Sequence, residues 1–145
     1  MPARELNDAD PRGGIGTGPG RTLTAVYALF ALAATGRSIA QFAADPGKAP
    51  LAYSLSALAA GIYIVATVCL AMGERARTIA IIACSIELAG VLLIGTLSYV
   101  VPELFPDKTV WSHFGQGYAF VPLVLPVVGL WWLLPEHRRR ARRPD

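Results

Sequence analysis

Residues 51–72 read LAYSLSALAAGIYIVATVCLAM, twenty-two consecutive residues without a charge. Crossing the roughly 30 Å hydrocarbon core of a bilayer takes about 20 residues of α-helix. Backbone polar groups find no water in that core, so the segment must be helical. Pro50 stands just before it, in the position where a first-turn proline costs nothing. This stretch sets the fold class, and the rest of the chain is read outward from it.

Upstream lies a second apolar run. Residues 21–42 are uncharged from Leu23 to Ala34 and then meet Arg37, Ser38 and Gln41. Asp45-Pro46-Gly47 is a turn signal between the two runs. Downstream, Gly73-Glu74-Arg75-Ala76-Arg77 makes a tight connection. A third run covers residues 78–101, interrupted only by Glu87, and Pro102 ends it. The segment PELFPDKTVWSHFGQG is the longest connection; its prolines and aromatics predict a partly ordered loop at a membrane surface. A fourth, shorter run covers residues 117–134 and contains Pro122 and Pro126, which bend transmembrane helices without breaking them. The expected fold is all-α: an integral membrane four-helix bundle, up-down-up-down. The short connections make neighbouring helices antiparallel.

Composition agrees. Of 145 residues, 54% are apolar and 16% charged, with a mean hydropathy of +0.46. The charges crowd into tails and connections. Residues 1–20 are polar and rich in Gly, Pro and acids, which predicts a disordered tail and fails the pattern of a cleavable signal peptide. Its GGIGTGPG run lacks the strand before and the Lys-Ser/Thr after that a phosphate loop needs. Residues 136–145 form a basic tail.

Arginine and lysine placement sets direction. The first tail, the 73–77 connection and the last tail hold ten: Arg4, Arg12, Arg21, Arg75, Arg77, Arg138, Arg139, Arg140, Arg142 and Arg143. The other two connections hold Lys48 and Lys108 only. Basic residues stay on the cytoplasmic side, so both termini are expected in the cytoplasm of a bacterial inner membrane. Arg138, Arg139, Arg140, Arg142 and Arg143 also suit anionic lipid headgroups. The net charge of +3 is explained by these flanks, and no nucleic-acid motif is readable. Tyr53, Tyr99, Trp111 and Tyr118 are expected near the outer interface, Trp131 and Trp132 near the inner one.

Candidate chemistry is sparse. Arg37 and Glu87 are ionisable groups within apolar runs, where they are costly. Glu87 shares a helix face with Ala80, Ala83, Cys84 and Gly90; Arg37 shares one with Ala33, Ala34 and Gln41. Small residues mark helix contact surfaces, so both charges should face the bundle interior. Helical rise puts them about 8 Å apart in depth. They are expected to pair directly, or through water or a tyrosine such as Tyr63. That set (Arg37, Glu87, Gln41, Tyr63) reads either as a structural contact fixing helix register or as a ligand or ion site. Cys69 and Cys84 are expected to be free, small buried hydrophobes. His113 and His137 lack a second ligand at metal spacing; no metal, cofactor or catalytic constellation is expected. Ala57-x-x-x-Gly61 is a small-xxx-small pattern available for helix packing, within the chain or with another copy.

The stretches APLAYSLSALAAGIYIVATVCLA and TVWSHFGQGYAFVPLVLPVVGLWWL resemble uncharacterised small four-helix integral membrane proteins of high-GC Gram-positive bacteria. The resemblance spans residues 22–134 and implies a bacterial inner membrane, with no activity attached. The functional expectation is a non-enzymatic accessory or interaction protein whose partners are membrane lipids and another membrane protein or a second copy. The alternative is a small transporter or ligand-binding bundle organised around Arg37 and Glu87.

Overall fold

Prolines open three of the helices in this protein, because the amide a proline lacks has no partner in a helical first turn. In the computed structural model, which describes residues 18–134, α1 is Pro19–Ala44, α2 Pro50–Met72, α3 Arg77–Val100 and α4 Val121–Leu133. Short 3-10 turns fill Gly73–Ala76, Pro102–Leu104 and Ser112–Tyr118. No strand occurs among the described residues. The expected tails at 1–20 and 136–145, with Arg138 to Arg143 and His137, lie almost wholly outside those residues.

Two continuous apolar stretches, Pro19–Ala44 and Pro50–Val100, are long and apolar enough to cross a membrane; Ser112–Tyr118 with Val121–Leu133 makes a third if that bent pair counts as one span. The 51-residue stretch is folded back on itself. Tyr63 and Glu87 are twenty-four residues apart, about 36 Å along a straight helix. Yet Tyr27 touches both: its ring lies 6.2 Å from that of Tyr63, and its hydroxyl donates to Glu87 Oε2 at 2.7 Å. The chain therefore reverses at Gly73–Ala76. α1 and α2 form an antiparallel pair in the same way, with Phe42 against Tyr53 near one end and Phe30 against Tyr63 deeper in. α4 returns beside α3, where Gly129 packs on Cys84.

The packing is inverted relative to a soluble protein. Inside, many small and polar residues (Ala52, Ala59, Ala66, Ala80, Ser56, Cys84, Tyr27, Tyr63 and Glu87) pack beside a few large aliphatics such as Leu70, Val91 and Leu133. Outside lie the large aliphatics: Leu29, Leu32 and Ile39 of α1, Leu58 and Val68 of α2, Ile79, Ile82, Ile86 and Leu93 of α3. In water such a surface would be a vast sticky patch. In lipid it costs nothing, and close backbone contact through alanine holds the helices together. Cys69 and Cys84 are free and buried, as expected.

The greatest departure from expectation is the middle of the connection from α3 to α4, residues 109–115, which leaves the exposed surface that residues 102–108 and 116–120 largely keep. It plunges into the bundle. Trp111, expected near the outer interface, is 2% exposed, and its indole N–H donates to the Tyr63 hydroxyl at 3.1 Å. Tyr63 is thirteen residues into α2, about 20 Å from the end at which the segment enters. The Trp111 ring lies over Gly90 and the Phe114 ring over Gly95, so tightly that a Cβ on either glycine would overlap it. As a result α4 starts at Val121 rather than near 117. At 13 residues it is about 20 Å long, and the bent segment supplies the remaining depth.

Candidate functional site

The four residues singled out from sequence fall into two separate groups. The first is the bundle centre. Glu87 is 0% exposed and projects from the Ala80, Ala83 and Cys84 face of α3, as its neighbours predict. Its partner is Tyr27 of α1 rather than Arg37. The Tyr27 hydroxyl also lies 3.3 Å from Cys84 Sγ, and Tyr63 stands beside it, held by Trp111. Glu87 Oε1 is buried with no hydrogen-bond partner among the described residues. Aromatic side chains surround this cluster: Phe30 and Tyr27 from α1, Tyr63 from α2 and Trp111 from the inserted segment.

The second group lies nearer the loop end. Arg37 is seven residues from the end of α1, about 10 Å below it. Its Nη1 donates to the Tyr118 hydroxyl at 3.2 Å and its Nη2 to the Lys108 carbonyl at 2.6 Å. Gln41 Nε2 approaches the same carbonyl at 3.5 Å. The expected Arg37–Glu87 pair does not form. The inserted segment comes between the two residues and supplies Arg37 with acceptors of its own. Tyr63 goes with Glu87 and Gln41 with Arg37.

The segment itself is held by a local polar clasp. The Thr109 amide donates to Ser112 Oγ at 2.8 Å and the Trp111 amide to Thr109 Oγ1 at 3.0 Å. Such side-chain bonds replace a helix ladder where irregular backbone is buried in protein. His113, Phe114, Ala119 and Phe120 all have positive φ, between 53° and 61°. For non-glycine residues this conformation is strained, and strain of this kind gathers at functional sites. His113, which lacks a second ligand at metal spacing, rests its ring on Tyr99 at 4.6 Å.

Between this segment and α1 is a cavity of about 380 Å³, lined by Arg37, Lys108, Thr109, Ser112, His113, Gln116, Gly117 and Tyr118. No acidic residue lines it. The nearest carboxylate is Asp107, which is turned to other partners: it accepts from the Tyr53 hydroxyl at 3.0 Å and from the Lys108 amide at 3.0 Å. Partial burial pushes the Asp107 carboxyl up, but those two bonds and the charges of Lys48 and Arg37 outweigh it. Its pKa ends below the ordinary 3.8. Sequence gave a weak signal for this cavity. Arg37 stood out, but nothing in a linear reading ties residue 37 to residues 108–118.

No group of three or more His, Cys, Asp or Glu residues that could hold a metal ion occurs among the described residues. At the opposite end, Arg77 Nε donates to the Leu133 carbonyl at 2.9 Å and so caps the last turn of α4.

These features define a class: an all-helical bundle with helices apolar and long enough to cross a membrane, a sealed polar centre and a polar cavity near one end. No known family model, curated protein or solved structure matches the chain.

Proposed function

We propose that this chain is an integral protein of a bacterial cytoplasmic membrane, crossing it four times with both ends in the cytoplasm. It works as an accessory or interaction protein rather than as an enzyme. The inverted packing carries the reading: small and polar residues inside, large aliphatics outside. Ten basic residues against two favour the orientation. The bacterial setting rests on the resemblance to small membrane proteins of high-GC Gram-positive organisms and on the Ala-, Gly- and Arg-rich composition.

Transport through the bundle centre is the weaker reading. Glu87 has no exposed surface, and Arg37 is committed elsewhere. The Glu87–Tyr27 contact suits a register lock, since one buried polar contact suffices to specify helix packing.

The interaction reading gains from α2. Ala57 and Gly61 are not used in packing within the chain: a Cβ on Gly61 meets nothing within 4 Å. They line an outward apolar groove with Leu58, Val65, Ile79, Ile82 and Ile86. Small residues on an open face permit close approach of another helix.

Reporter fusions at each end test the orientation, and affinity purification in mild detergent tests the rest. Both reporters should be active in the cytoplasm, and the chain should co-purify with a membrane protein or a second copy. Reporters on opposite faces, or a monomer that stays alone in native-like lipid, would overturn the proposal.

A further inference from the structure

A cation at membrane depth needs a reason, and Arg37 has only partial ones. A guanidinium carries five donors. Two of those on Arg37 reach neutral acceptors, the Tyr118 hydroxyl and the Lys108 carbonyl. Its Nε is buried with no partner, and among the described residues no carboxylate is ion-paired with it, the nearby Asp107 charge acting on it only at a distance. The Gln41 amide beside it is likewise incomplete, with Oε1 buried and unpartnered.

The surroundings are those of a recess rather than a core. The cavity on Arg37 is walled by the hydroxyls of Tyr118, Thr109 and Ser112 and by His113 and Gln116. Next to its lining residue Tyr118 stands the Phe30 ring, and next to Ser112 in the chain stands Trp111, bonded to Tyr63. Irregular backbone at this depth is tolerated only where it is buried in protein or lines a polar cavity; residues 109–115 are largely buried, and Ser112, His113, Gln116, Gly117 and Tyr118 line the cavity. The recess has a cationic floor, hydrogen-bonding walls and no acid in its lining.

We propose that this recess is a binding site, open at the loop end of the bundle, for a small oxyanion: a phosphate or carboxylate group, either free in solution or carried on a lipid headgroup. Arg37 supplies the charge, held in place by Tyr118 and the Lys108 carbonyl. Ser112, His113 and Gln116 supply further polar contacts. The strained turn at residues 113–115 brings these residues into the same lining as Arg37 without a helix. That the opening faces away from the cytoplasm rests on the orientation proposed above; the site itself does not.

Gly117 offers a probe. It lines the recess, is exposed, and a Cβ there meets nothing within 4 Å. The two native cysteines are buried, so Gly117→Cys gives one accessible thiol. Reaction of this variant with an anionic and a cationic methanethiosulfonate is compared in vesicles of phosphatidylcholine and of phosphatidylglycerol. The anionic reagent should react faster by roughly tenfold after correction for intrinsic reactivity. Excess inorganic phosphate should slow the reaction in phosphatidylcholine if the occupant is a free anion. Slowing in phosphatidylglycerol alone identifies a lipid headgroup instead.

Adding Arg37→Gln should bring the two reagents to parity. Lys108→Gln, which keeps the backbone carbonyl that Arg37 bonds, serves if Arg37→Gln fails to fold, and should reduce the preference in part. Equal rates for both reagents in the Gly117→Cys protein, with no protection by phosphate or phosphatidylglycerol, would overturn the site. Anion preference seen only when reagents enter from the cytoplasmic side would leave the site standing and overturn the orientation.

Discussion

At the residue scale, the two charges within the apolar helices, Arg37 and Glu87, have different employments, and substitutions should tell them apart. Tyr27→Phe removes the one donor to Glu87 Oε2 among the described residues at almost constant volume. Hydrogen bonds inside membrane bundles are modest, so the expected loss is about 1 kcal/mol, read as a lower melting temperature in detergent. Glu87→Gln keeps an acceptor facing Tyr27 and should cost less. Gly90→Ala is expected to be worse than either, at about 1–3 kcal/mol. Its Cβ would meet Trp111 Cζ3 at 2.7 Å, with backbone on one side and a fixed indole on the other. If Tyr27→Phe proves more damaging than Gly90→Ala, hydrogen bonding rather than fit holds this centre together. Glu87 and its small-residue face were legible in the sequence, because spacing on one helix reports one face. Its partner was not, because Tyr27 is sixty residues away and looks like any span aromatic.

At the element scale, the re-entrant segment and α4 depend on anchors at both ends. Arg77 caps α4 through the Leu133 carbonyl, placing a cation at the negative end of the helix dipole. Arg77→Met should lose about 1 kcal/mol and speed amide exchange in the last turn of α4, with α1 unchanged. The other anchor is Asp107 on Tyr53. The Asp107 pKa is depressed in the folded state, so the bond contributes fully above the ordinary value of 3.8 and is lost as pH falls through the lower folded value. Proteolysis of the 101–110 segment should therefore accelerate in that acidic window, and Asp107→Asn should remove the pH dependence. The helices α1 to α3 were readable from sequence to within about two residues, because long apolar runs leave little choice of boundary. The inserted segment was misread because prolines and aromatics look the same in a surface loop as in a buried one. What draws it inward is the room left by Gly90 and Gly95, two positions on a different element.

At the scale of the whole molecule, the outward aliphatics and the open Ala57/Gly61 groove predict a chain that folds alone but associates through one face. Gly61→Leu adds a side chain to open space, so its melting temperature should stay close to wild type, a change within about 0.5 kcal/mol. Co-purification with a partner, or with a differently tagged second copy, should drop. Unchanged association would place the contact on another face.

The order of apolar runs and the lopsided arginines sufficed, without coordinates, to predict an all-helical chain with antiparallel neighbours and its expected direction in a membrane. Both follow from transfer between water and lipid, which depends on each segment's own composition. Only the folded molecule decided that Glu87 meets Tyr27, that Arg37 faces a polar recess, and that residues 109–115 enter the bundle. Those outcomes depend on which side chains from distant segments fit one another, and composition carries no record of fit.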